Sequence, residues 1–309
     1  MPAHVRDLFS TDNYEEGRVM RSQQRLCVPA HKDRVLVRDK RVRENLLMLE
    51  SSKKVVDYCG TGVQREVAPH MRKIVTDWML EVCEDQQCQP QVFFLAVSYL
   101  DRFLSSLSIT KTQFQLLASV CILLASKFSQ VVPITTEQLV IYTDNSVTVE
   151  ELRFWEMEVL RVLQWEIATT TVHDFLDHLE GSVSHLDKKA RRQAETIAAM
   201  AVTEYKFVST KQSVIAAASL AAAVQQSQKN AEELENVIEL SSAKLKCSRT
   251  EIIFFMRHIL ELSPSFISVA LKSEQVSIEY FTETKTQHSS NSSLSLTPTD
   301  TIRFEVLAA

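Results

Sequence analysis

Lys127 and Glu156 are ionisable residues standing where an apolar pattern asks for leucine. Lys127 follows Leu116, Val120, Leu123 and Leu124, at i+4 from Leu123 and i+3 from Leu124. Glu156 takes the i+4 place after Leu152, in a stripe otherwise made of Trp155, Val159, Leu160 and Leu163. An unpaired charge on a packed helix face is costly, so pairing one acid with one base is the cheap arrangement. Two readings stay open. Each side chain runs out to water at a helix end, with the pair structural or absent. Alternatively the pair sits at a groove between helices, where the lysine has more donors than one glutamate satisfies and the remainder can hold carbonyls of a partner.

No other set of reactive residues assembles into a catalyst. His173 and His178 are five apart, and no paired carboxylates or Ser/His/Asp arrangement accompanies them. Glu81 and Asp85 share a helix face as ordinary surface acids do. The cysteines, at 27, 59, 83, 88, 121 and 247, include no CxxC pair, and Cys83 and Cys88 have no histidine at zinc spacing. They read as reduced thiols of a cytosolic or nuclear protein. Glycine is scarce: 4 in 309 residues, where average usage gives roughly 22. Gly60-Thr61-Gly62 lacks the third glycine of a phosphate-cradling loop. Neither metal nor cofactor is expected, and the chain does not read as an enzyme.

The elements that must position Lys127 and Glu156 are helices. Met71, Ile74, Val75, Trp78, Met79 and Val82 recur at helical spacing, and so do Val92, Leu95, Ala96, Tyr99, Leu100, Phe103 and Leu104. Leu116 to Phe128 is apolar nearly all round, the mark of a central buried helix. Thr135 with Gln138 and Thr148 with Glu151 are capping-box pairs opening two more. The Met71 stripe is wider than the roughly 100° a one-sided core needs. Met71, Ile74, Val75 and Trp78 therefore either complete the core or show an apolar patch to solvent.

The pattern then repeats. A shift of 97 residues carries "LLASVCILLASKF" at 116–128 onto "SVIAAASLAAAVQ" at 213–225, Trp78 onto Phe175 and Met79 onto Leu176. Ser248 with Glu251 opens a last helix through "EIIFFMRHILEL". The predicted fold is all-α, two tandem five-helix modules at 61–166 and 167–262. An arm with a short helix from Arg38 to Glu50 precedes them within 1–60. A Ser/Thr-rich tail at 263–309, with too little apolar content to offset its ordering entropy, is expected to be disordered.

Charge and hydropathy narrow the partners. The net charge is −5 and the pI about 6.0, so neither nucleic acid nor an anionic membrane is the expected partner. No uninterrupted apolar run reaches the roughly 18 residues of a membrane span, and the start shows no secretory signal pattern.

"MRKIVTDWMLEVCED", "YLDRFL", "LLASKF", "IYTDNS" and the tail's "LTPTD" together resemble the D-type cyclins, over about 60–262 plus 296–300. The resemblance implies two tandem cyclin boxes and a regulatory subunit that activates a cyclin-dependent kinase at the G1/S transition, directing it to retinoblastoma-type substrates. It implies kinase binding for Lys127 and Glu156. It implies a docking patch for kinase inhibitor proteins and Arg-x-Leu substrates at Met71, Ile74, Val75 and Trp78, with Phe114 and Gln115 at its further edge. Thr297, followed by Pro298, matches a phosphorylation site controlling export and destruction, and localisation to nucleus and cytoplasm follows. Departures are visible. "RLCVPA" at 25–30 stands where the family carries Leu-x-Cys-x-Glu for retinoblastoma docking, and Ser129 and Gln130 stand where acids often follow the lysine. Two other classes are kept: a DNA-binding transcription factor of cyclin fold, which wants a basic face and commonly a zinc ribbon, and a scaffold that binds without activating.

Overall fold

The computed structural model describes residues 33–53, 55–180, 188–227 and 231–262. The stretch "RLCVPA", the Ser/Thr-rich tail and Thr297 lie outside these residues.

Two helices open the described chain, α1 (Arg34–Arg38) and α2 (Lys40–Ser52). Asp39 separates them, its carboxylate accepting from the Arg41 amide as an N-cap. The first five-helix module follows as α3 (Pro69–Asp85), α4 (Pro90–Ser106), α5 (Phe114–Ser129), α6 (Thr136–Tyr142) and α7 (Val149–Val162). Proline opens α3 and α4, where a missing N–H costs nothing and the fixed φ suits a helix start. Thr135 and Thr148 form full capping boxes with Gln138 and Glu151, as their spacing predicts. The second module is α8 (Val172–Glu180), α9 (Lys188–Thr203), α10 (Gln212–Gln226), α11 (Ala231–Leu245) and α12 (Arg249–Leu262). Among the described residues there is no strand.

The 97-residue shift holds element by element. It carries α4 onto 187–203, where α9 lies, and α5 onto 211–226, where α10 lies. Each central helix is enclosed by its module: α5 packs against α3, α4 and α7, and α10 against α8, α9 and α11. By length and composition Lys111–Ser129 would suffice to cross a bilayer. Its interior residues from Leu116 to Ser126 are instead buried within the protein, as befits a core helix.

The modules meet where α9 packs on α3 and α4. At this seam Arg72, 1% exposed, forms a two-pronged ion pair with Asp101, Nε to Oδ1 at 2.8 Å and Nη2 to Oδ2 at 2.7 Å. Its remaining donors reach across to carbonyls of the second module, Thr203 at 2.9 Å and Val202 at 3.1 Å. Tyr58 donates to Asp101 at 2.9 Å, and its ring meets Tyr205 edge-on at 5.4 Å. Burial works against the Arg72 charge, but the adjoining carboxylate outweighs it and holds the guanidinium protonated. One planar fork thus satisfies an acid of its own module and two carbonyls of the other.

The N-terminal helices are tied to the second module. Glu50, buried near the end of α2, accepts from the Ser213 amide at 2.7 Å and hydroxyl at 2.8 Å in the first turn of α10. A carboxylate here satisfies a donor that a helix start leaves orphaned.

Candidate functional site: an ion pair and a half-exposed helix face

Lys127 stands in the last turn of α5 and Glu156 midway along α7, two helices that pack directly. The ammonium donates to both oxygens of the carboxylate, at 2.6 and 2.9 Å. The pairing that the two stripes left open therefore forms. Its burial is lopsided: the lysine side chain is 45% exposed and the glutamate 18%. The lysine lies at the end of the buried row rather than inside it, since all twelve residues from Phe114 to Ser126 called buried precede it. The pair is thus a surface feature braced by the core, with one carboxylate and one solvent-facing ammonium.

The same two helices also expose apolar surface: Phe128, which follows Lys127 in the chain, and Phe154 and Met157 on α7. The segment after α5 adds two more. Ser126, buried, donates to Gln130 Oε1 at 2.8 Å and accepts from the Ile134 amide at 2.7 Å. That folds 130–134 back over the helix end and leaves Val131 and Val132 88% and 55% exposed. Phe154 and Met157 are one turn apart, so they share a face. Phenylalanine and methionine exposed together on one helix face can contribute to an apolar docking patch. The second module has no counterpart of the ion pair: the 97-residue shift carries Lys127 onto buried Val224 and Glu156 onto Ile253.

The α3 face divides as the second of its two readings foresaw. Its buried side is Arg72, Thr76, Met79, Val82 and Cys83. Ile74 is 62% exposed, while Met71, Val75 and Trp78 are half-buried. Two polar residues, Arg72 and Thr76, occupy the inward face because the seam supplies partners. Thr76 donates across the seam to the Thr203 carbonyl at 3.3 Å. The four apolar residues are displaced towards solvent. Gln115 is half-buried. Phe114 departs from its assignment as surface: it is 2% exposed, its ring turned into the core at the first residue of α5. It offers no area to a partner.

Sequence reasoning missed the Arg72–Asp101 joint. Its signal was present: Arg72, Thr76, Met79 and Cys83 share one helical face, and Asp101 interrupts an apolar helix. His173 and His178 are both buried, and His173 sits within an ion network. His173 Nδ1 meets Glu195 Oε1 at 2.6 Å, beside an Arg191–Asp177 pair at 2.7 Å. Burial pulls His178 below the ordinary histidine range, opposed by a hydrogen bond to the Val37 backbone. No group of three or more His, Cys, Asp or Glu among the described residues is placed to hold a metal ion.

Two tandem five-helix modules, each wrapped on a central helix and joined through a buried arginine, define the cyclin-box architecture. The family model described as Cyclin, N-terminal domain matches residues 41–168, and that described as Cyclin, C-terminal domain matches 170–262. G1/S-specific cyclin-D1 of Xenopus laevis is 37% identical over 288 residues, 88% of this chain and 94% of that one. G1/S-specific cyclin-D3 of Bos taurus is 46% identical over 193 residues, 62% of this chain and 66% of the relative. A viral cyclin from herpesvirus saimiri superposes with a TM-score of 0.58 at 24% identity, covering 68% of this chain and 96% of its own. The chain belongs to the cyclin family, in its D-type branch. As a cyclin it is a regulatory subunit of a kinase and not itself an enzyme.

Proposed function

We propose that the protein binds and activates a cyclin-dependent kinase of the class partnered by D-type cyclins, promoting passage from G1 to S by directing phosphorylation of retinoblastoma-type proteins. The observation that carries this reading is the Lys127–Glu156 pair at 2.6 Å, exposed on its lysine side, on two helices that also expose Phe128, Phe154 and Met157. A protein kinase must hold a strand lysine against a glutamate of its mobile helix before it can position ATP. A rigid surface that grips that helix only in its inward position shifts the population towards activity. Moving the balance from 1:99 to 99:1 takes a preference of about 5.5 kcal/mol. Burial of the aromatic and aliphatic side chains supplies the bulk of it, and Lys127 fixes register by donating to carbonyls of the kinase.

The α3 face of Met71, Ile74, Val75 and Trp78, with Gln115 at its edge, is assigned to kinase inhibitor proteins and Arg-x-Leu substrates. Thr297 is assigned as a phosphorylation site: a phosphate there adds nearly two negative charges to a site followed by Pro298. Nuclear and cytoplasmic residence belongs to the same reading. Direct docking to the retinoblastoma protein is not assigned, because "RLCVPA" lacks the leucine and glutamate of the family's motif.

The test is Lys127→Glu. An exposed pair contributes only about 0.2–1 kcal/mol to folding, so the variant should keep its helical circular dichroism and melting profile. It should lose co-purification with the kinase and the gain in kinase activity. A folded variant that still binds and activates normally overturns the assignment. Normal kinase binding by the unaltered protein with no gain in activity would favour the scaffold, and a salt-dependent DNA gel shift would favour the transcription factor.

A further inference from the structure

We propose that Cys83 and Cys88 form a reversible intramolecular disulfide, which makes the C-terminal turn of α3 a thiol-oxidation site. The geometry is that of a Schellman motif. The Cys88 amide donates to the Cys83 carbonyl at 2.8 Å, and the Gln87 amide to the Glu84 carbonyl at 3.0 Å. Gln87, with φ of 51°, supplies the left-handed residue such a closure requires. In this motif the side chains of the last-but-two helical residue and the second residue past the cap meet, usually as an apolar contact. The same backbone closure recurs at the end of α7, from the Trp165 amide to the Leu160 carbonyl at 2.9 Å. At the end of α3 the two meeting side chains are thiols, joined by a hydrogen bond.

The two thiols are not equivalent. Cys83 is 5% exposed, whereas Cys88 is half-buried. The hydrogen bond with Cys88 comes first, and burial second, in pushing the Cys83 thiol well above its ordinary range. Cys83 therefore keeps its proton, and the accessible Cys88 makes the first attack. With hydrogen peroxide as oxidant, the Cys88 thiolate attacks one peroxide oxygen, the O–O bond breaks, and Cys88 becomes a sulfenic acid as hydroxide leaves. Cys83 sulfur then attacks the Cys88 sulfur and loses its proton. The S–O bond breaks, and the leaving hydroxide takes up that proton as water. Two thiols and one peroxide give one disulfide and two waters. A cellular thiol such as glutathione reverses the bond by exchange.

The reaction can be read on the full-length protein. Wild type, Cys83→Ser and Cys88→Ser are treated with hydrogen peroxide and alkylated in acid-denaturing conditions. They are then cut after glutamate, which severs the chain between the two cysteines at Glu84 and releases Val82–Glu84. In the wild type this tripeptide should stay joined to the fragment beginning at Asp85, with a loss of two hydrogens, until dithiothreitol separates them. Neither variant should show the joined species, and Cys83→Ser should accumulate over-oxidised or alkylated Cys88. The proposal is overturned if both thiols of the wild type are recovered alkylated while half-buried Cys59 is oxidised. It is equally overturned if Cys88 is over-oxidised in the wild type without the joined fragment forming.

Discussion

Replacing Arg72 by methionine should destabilise the protein severely, and the structure says by how much. Methionine matches the stem of arginine but removes every donor. Asp101 is left with the Tyr58 hydroxyl, in a site where its side chain is 9% exposed. The Val202 carbonyl loses the donor that reaches it, while the Thr203 carbonyl retains only the longer bond from Thr76 at 3.3 Å. Breaking one half of a buried pair costs about 3–5 kcal/mol, because the other charge stays desolvated and unopposed. That is a large share of a total stability of roughly 5–15 kcal/mol. Urea unfolding followed by tryptophan fluorescence reads the loss as a lowered midpoint. The double variant Arg72→Met/Asp101→Leu removes the stranded charge as well and should recover most of it. A single variant less than about 1 kcal/mol below wild type would refute the keystone role. So would a double variant no more stable than the single one.

Further outcomes follow from other parts of the molecule. Trp78→Ala should leave kinase binding and activity on a short peptide unchanged while lowering phosphorylation of an Arg-x-Leu substrate; steady-state kinetics on the two substrates separates these. Glu50→Ala removes both acceptors used by Ser213, leaves an α10 amide unsatisfied, and should cost about 1–3 kcal/mol in urea unfolding. His178 carries a pH dependence whose sign is fixed by its burial. Its folded value lies below the ordinary 6.5, so the unfolded chain takes up the proton first. The stability tied to this residue is complete above about pH 6.5 and drains away as the pH falls. Thermal melts between about pH 7.5 and 5.5 should show that decline, and His178→Gln should flatten part of it.

Much of the fold was legible because helical period and capping chemistry act locally. Thr135, Thr148 and the all-round apolar stretch from Leu116 to Phe128 announced elements without reference to the rest of the chain. The pairing of Lys127 with Glu156 was legible for a related reason: each breaks a stripe, and a break in a stripe needs a partner. What the stripe did not convey was depth. Lys127 sits in the last turn of α5, where one residue more or less decides between core and solvent. The α3 face was harder to read. Hydrophobic period left Met71, Ile74, Val75 and Trp78 open between core and surface, and it is Arg72 and Thr76 that occupy the inward side. Their partners, Asp101 and the carbonyls of Val202 and Thr203, lie 29 and about 130 residues away along the chain, and no local pattern reports a seam of that kind. The helix over Arg38 to Glu50 was expected. Its start beyond Asp39 and the separate short helix α1 before it follow from two aspartate caps, Asp33 and Asp39.

The second module holds valine and isoleucine where the first holds lysine and glutamate. A duplicated scaffold has thereby lost its two-fold equivalence in chemistry while keeping it in shape. Two interchangeable grips would let a protein of this kind bridge a pair of enzymes or bind one in opposite senses. On the proposed reading, a single charged grip would set a direction along the molecule and a stoichiometry of one, with the other copy acting as a buttress reached through Arg72.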